Sequence, residues 1–179
     1  MGLIHNAIWE IRVGIDLQDL AKQVARLQDL EAIRTLKNTY HLYINDRCFS
    51  HISSLFTTDA VVDFGYMHNT VDPWKGSDQI NNGFKFVESN LSEIKQFIHS
   101  HTIDLDGDQA SGWCFLEARY GLGNKSFNVA GKYDEDYRKV DGKWLFSRMN
   151  IHFYFTTPHE LGWVADNRHQ LARRPVKVV

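Results

Sequence analysis

The stretch FIHSHTIDLDGD, residues 97–108, is where the apolar period of the chain changes to two. His99, His101, Ile103 and Leu105 alternate with other residues, and the run ends at Asp106-Gly107, a dipeptide suited to a tight hairpin turn. Side chains two apart on a strand share a face, so a regular strand aims both imidazoles the same way as Ile103 and Leu105, into an interior. A bulge would turn one of them out. Two readings stand for the pair: acid/base groups in a pocket, or one hydrogen-bonded core histidine with the other at the rim.

The same period continues to the C-terminal side. Strands are predicted over 96–106, 110–121, 126–139 and 144–155, with Asp141-Gly142 as a further turn. GLGNKS (121–126) lacks the full spacing of a phosphate loop and lies between two strands, so it reads as a hairpin turn. Toward the N-terminus the period is helical. Leu17, Leu20, Ala21, Val24, Leu27, Leu30, Ile33 and Leu36 recur at short helical intervals, predicting one amphipathic helix or two in succession that end near Asn45-Asp46. Ser50 is placed to cap a short helix carrying Ile52, Leu55 and Phe56, AVVDFGY (60–66) reads as a strand, and Ser77 is placed to cap a helix carrying Ile80, Phe84 and Val87. Helices first and a long antiparallel sheet afterwards is the α+β pattern. Strand 110–121 is bulky on both faces, Cys114, Leu116 and Tyr120 alternating with Trp113 and Phe115, so helices should cover one face and another subunit the other.

Composition bounds the function. The chain has 179 residues, 43% hydrophobic and 13% aromatic, enough for a single domain over 1–179 with a sizeable core. Twenty basic against 22 acidic residues leave a formal charge of −2, without the basic stripe that nucleic acid favours; the basic tail RRPVKV is short. No apolar run is long enough to span a bilayer, and the opening MGLIHNAIWEIRVG does not read as a signal peptide. The expectation is a cytoplasmic protein with two reduced thiols, Cys48 and Cys114, that lack metal-ligand spacing. His-x-His on a strand can begin a metal site, but no carboxylate or cysteine stands at a fitting distance in sequence, so no metal is expected.

The ordered series LEAIRTLKNTY, LFTTDAVVDF, KGSDQI, HTIDLDGDQASGWCFLE and GKYDEDYRKVDGKWLFSR resembles the SnoaL-like family of the nuclear transport factor 2-like superfamily, with scytalone dehydratase and bile-acid 7α-dehydratase as the relatives it looks most like. The resemblance covers about 28–155, leaving an N-terminal helical extension and a C-terminal tail. It implies a cone of curved antiparallel sheet closed by helices around a deep pocket, chemistry without a cofactor, and homodimers or homotrimers built through the sheet. The family's dyad is an aspartate near the end of the long helix and a histidine on the next long strand, aided by tyrosines. Carried across, a helix tyrosine falls on Tyr40, the aspartate on Asn45 and the histidine on Gln96; a middle-strand acid or base falls on Ala118 or Tyr120, and a pocket tyrosine on Phe64. Asp46 is the neighbouring carboxylate, about 100° further around the helix.

The candidate catalytic residues are therefore His99, His101, Tyr40 and Asp46, and the candidate substrate-binding residues Asn45, Gln96, Tyr120, Tyr133, Phe64 and Trp74. Tyr120 and Tyr133 share parity with Leu116 and Val129, so core filling competes with a polar role. Asn150 and His152 fall opposite Met149 and Ile151, toward the outside, and FTTPHELGW (155–163) is positioned to close over the cone mouth or to pack as a tail. Two functions are open: a lyase, isomerase or cyclase acting on an apolar cyclic or polycyclic small molecule, or a non-catalytic small-molecule binding or assembly protein. Amides at 45 and 96 favour the second; the histidines and tyrosines keep the first.

Overall fold

The computed structural model describes residues 16–65 and 72–163; the opening segment, Tyr66 and the basic tail lie outside them. The N-terminal series forms one helix, α1 (Leu17–Asn45), started by Asp16, whose carboxylate accepts a hydrogen bond from the Gln18 N–H at 2.8 Å. Its buried face is Ile33, Leu36, Lys37, Tyr40, His41 and Ile44, at helical intervals of one, three and four. Here the helix departs from expectation. Leu17, Leu20, Val24 and Leu27 are exposed, because at about 100° per residue they gather on the side opposite Ile33, Tyr40 and Ile44. The core stripe begins only near Leu30.

A short 3-10 helix (Phe49–Leu55) follows Cys48 rather than a Ser50 cap, and Phe56 already belongs to β1 (Phe56–Asp63). After the two-residue β2 (Trp74–Lys75) comes α2 (Gly76–Asn90). Its first turn is closed by Gln79, whose side-chain oxygen accepts the Lys75 N–H at 2.9 Å, so Ser77 lies within the helix and not at its cap. Ile80, Gly83, Phe84 and Val87 face inward. Gly83 has to be glycine: a Cβ there would stand 2.4 Å from the Trp74 indole.

Four long strands follow: β3 (Leu91–Asp106), β4 (Gln109–Leu122), β5 (Lys125–Val140) and β6 (Lys143–Pro158), each antiparallel to the next. The sheet order is β2-β1-β6-β5-β4-β3, and β1 runs parallel to β6, so the curved sheet is mixed and open at both edges. Residues 155–158 extend β6 and lead into a 3-10 turn (His159–Leu161), where the Phe155 and Trp163 rings meet at 4.8 Å. As expected, Asn150 and His152 stand opposite the buried Met149 and Ile151, and His152 pairs with Asp134 at 2.8 Å.

The fate of the two histidines is set by a bulge. The β3–β4 register shifts between His99 and Thr102, and Ser100 takes a left-handed φ of 57°. Before the shift, even-numbered Ile94, Gln96 and Ile98 turn toward the core; after it, odd-numbered His101, Ile103 and Leu105 do. The regular-strand expectation is corrected accordingly: His99 is thrown to the outer face, 60% exposed and 3.9 Å from Glu117, while His101 stays inside.

Candidate active site

Three elements build the polar interior. On β5, Tyr133, Glu135 and Tyr137 alternate onto the inner face, all of them buried. On α1, Lys37, Tyr40 and His41 occupy one stripe, and β3 adds Gln96 before its bulge and His101 after it. Lys37 Nζ lies 2.5 Å from Glu135 Oε1, with both side chains fully buried. Glu135 Oε2 accepts the Tyr137 hydroxyl at 2.6 Å, and the Tyr137 oxygen is 3.0 Å from His101 Nε2. A second strand of contacts runs from the Tyr133 hydroxyl, which donates to Gln96 Oε1 at 2.9 Å. Lys37 ties the two together, its ammonium 3.4 Å from the centroid of the Tyr133 ring.

Proton positions follow from this arrangement. Glu135, paired with an ammonium, only accepts; the single Tyr137 proton goes to it, so the Tyr137 oxygen accepts from His101 Nε2–H. That leaves the His101 Nδ1 lone pair without a partner among the described residues. Burial, and then the charges of Lys37 and Arg34, hold the His101 pKa down to about 4, so the ring is neutral at pH 7. Burial likewise pushes the Tyr40, Tyr133 and Tyr137 phenols up, with the Glu135 charge adding to each, and lifts the Cys114 thiol to about 12. His41 is held well below the ordinary imidazole value, first by burial and then by Lys37 and His101. The Gln96 amide beside the ring works the other way and raises it, although neither His41 nitrogen reaches strict hydrogen-bond geometry among the described residues.

The remaining expected residues are distributed. Asn45 spends its amide on the backbone of β3, donating from Nδ2 to the Gln96 carbonyl at 2.9 Å and accepting the Gln96 N–H at 2.7 Å. This clamps the end of α1 to the strand that carries Gln96. Asp46 is exposed at the helix C-cap, outside the cluster, because the helix ends there and its side chain leaves the core stripe. Phe64 and Trp74 pack with Phe84 at ring separations of 5.2 to 6.0 Å, and Phe84 in turn meets Tyr40 at 6.1 Å. Tyr120 stacks on Phe127 at 5.0 Å rather than joining the bonded network. An open groove of about 570 Å³ beside Asp104, Asp106, Asp136 and Arg138 reaches the inner face only at Ala110 and Tyr137.

Lys37, His41, Glu135 and Tyr137 were not among the sequence candidates. The parity that picked Tyr133 also picks Glu135 and Tyr137, two and four residues on. Lys37 and His41 sit at helical intervals from Ile33, Tyr40 and Ile44, but a lysine on an apolar stripe ordinarily reads as a solvated neighbour.

Residues 25–150 match the family model described as a SnoaL-like domain. No curated protein matches the sequence significantly. Among solved structures, a protein provisionally described as a scytalone dehydratase, from Novosphingobium aromaticivorans, is similar at 18% identity with a TM-score of 0.71, over 88% of this chain and 99% of that one. A hexachlorocyclohexane dehydrochlorinase, LinA-type3 from Novosphingobium barchaimii, is similar at 21% identity with a TM-score of 0.68, over 76% and 93%. An NTF2-like protein with a cystatin-like fold from Novosphingobium aromaticivorans shares 18% identity at a TM-score of 0.65, over 86% and 95%. At these identities the likeness to the solved structures is one of fold.

Proposed function

The chain belongs to the SnoaL-like family, and from that premise we propose that it is a lyase, isomerase or cyclase that moves a proton beside a carbonyl of an apolar cyclic small molecule. One observation carries the reading: His101 is a neutral imidazole whose Nε2–H is fixed by Tyr137 and whose Nδ1 is free to take a proton. When Nδ1 takes a proton from the carbon next to the carbonyl, the electron pair moves into an enolate, and the imidazolium is supported through Tyr137 by the Glu135 carboxylate. Delivery of that proton to a different carbon completes an isomerisation; delivery to a leaving hydroxyl completes a dehydration. Tyr40, kept protonated by burial, is the phenol suited to support the enolate oxygen, since the single Tyr133 proton is given to Gln96. The reading includes a homodimer or homotrimer joined through the outer sheet face, working in the cytoplasm without a cofactor.

The non-catalytic alternative has its own observation. Asn45 and Gln96, onto which the resemblance carries the family's dyad, are engaged in structural hydrogen bonds. Exchange of α-hydrogens in D₂O, followed by NMR over a panel of ketones from 2-tetralone to tetracyclic steroid ketones, separates the two. The enzyme reading expects acceleration over buffer and a loss of roughly 10²- to 10⁴-fold in His101→Gln, the usual worth of one positioned acid/base group. His99→Gln, on the outer face, should leave the rate unchanged. Acceleration that survives in His101→Gln would remove that residue from the mechanism, and ligand binding without any exchange would favour the binder.

A further inference from the structure

Every residue from 16 to 28 is exposed, so the first three turns of α1 project from the body over about 18 Å. Arg26 Nη1 donates to the Leu105 carbonyl at 3.1 Å near the base of this projection. A helical stretch of that length is marginal in water when it packs on nothing. It nevertheless carries an apolar stripe. Leu17, Leu20, Val24 and Leu27 are 44% to 77% exposed, with no element among the described residues covering them. Their spacing of three, four and three is that of a coiled-coil seam.

We propose that this stripe is a self-association surface, pairing α1 antiparallel with α1 of a second copy of the chain. The series reads the same in both directions. Run against itself about position 22, it sets Leu17 opposite Leu27 of the other copy and Leu20 opposite Val24. A two-fold contact requires such self-complementarity, since residue i must meet j while j meets i. Charge selects the direction. At about 100° per residue, Asp16, Asp19 and Arg26 share one flank of the stripe and Lys22 lies behind it. Antiparallel pairing brings the two carboxylates of one copy level with Arg26 of the other, whereas parallel pairing sets like beside like. Helix dipoles favour the antiparallel arrangement as well. On the opposite flank Ala21 and Ala25 are small, which lets the two helices approach closely. Residues 1–15 of the same chain are the competing occupant, but they would leave this reversible register of stripe and charges without a role. Four side chains from each copy make a small contact, of the weak and transient class when it acts alone. It is separate from assembly through the sheet face and independent of the chemistry at His101.

Disulfide capture reads a weak contact residue by residue, because the bond forms only where Cα atoms come within about 7 Å. Leu20→Cys and Val24→Cys, both at exposed positions, are prepared separately and mixed at equal concentration in a glutathione redox buffer. The wild-type protein gives the background from Cys48 and Cys114. Intact mass spectrometry distinguishes the mixed dimer from the two homodimers. The mixed dimer should exceed either homodimer by at least about tenfold, against about twofold for random encounter, with circular dichroism unchanged in both variants. The excess should persist when Phe115→Asp is built into both partners, because the stripe does not lie on the sheet face. A random ratio, or homodimers in excess as parallel pairing would give, would overturn the proposal. So would loss of the mixed dimer with Phe115→Asp. Absence of any dimer above the wild-type background, the result expected if residues 1–15 cover the stripe, would overturn it too.

Discussion

Ser100 holds a left-handed backbone that few L-residues other than asparagine and aspartate adopt readily, and through it His101 reaches Tyr137. The consequence at the level of one residue is a pH profile. With the His101 pKa lowered to about 4, the base is available across neutral pH and is lost only when protonated. The exchange rate per substrate should therefore stay level from pH 7 downward and bend near pH 4, not near 6.5, in a stopped pH series. A bend near 6.5 would mean that the ring is solvated. Stability carries the same sign. The unfolded chain binds a proton near pH 6.5 that the folded chain does not bind until about 4, so the contribution is complete above 6.5 and is lost as pH falls through this window. Urea midpoints measured at pH 7, 5.5 and 4 should decline in that order.

Between elements, the buried pair joining α1 to β5 governs how the helix is seated. Removing two ions from water is costly, and their attraction repays it only when the pair is complete. Lys37→Met should strand the Glu135 carboxylate and cost about 3–5 kcal/mol in urea unfolding, as removal of one partner of a buried pair generally does. The double variant Lys37→Met with Glu135→Leu should recover most of that loss, because no uncompensated charge remains. Losses that simply add would show that the two groups do not act as a pair. Asn45 gives α1 a second attachment through the Gln96 backbone, which explains why an amide suits that position structurally. The exposed Leu17, Leu20, Val24 and Leu27 show the complementary case, a helical period whose residues do not reach this core.

At the scale of the whole molecule, the outer sheet face carries more aromatic surface than water favours. Trp113 and Phe115 meet at 5.2 Å, Phe115 is 40% exposed and Phe97 51%. Assembly through this face should appear as a dimer or trimer in analytical ultracentrifugation at micromolar concentration, and Phe115→Asp should shift it toward monomer without loss of fold by circular dichroism. A wild-type monomer would leave the patch without that role. What the sequence alone determined is what depends on neighbouring residues: helical and strand periods, the Asp-Gly turns, and the inner parity of β5 at Tyr133. Those patterns follow from backbone geometry over a few residues. The tertiary structure decided the rest, because the deciding partners are far apart. Lys37 is tolerable inside only because Glu135 arrives from 98 positions away, and the bulge at Ser100 shows itself only against the register of β4. A one-residue change of register reverses a strand's faces, and that separates His99 in solvent from His101 in the interior.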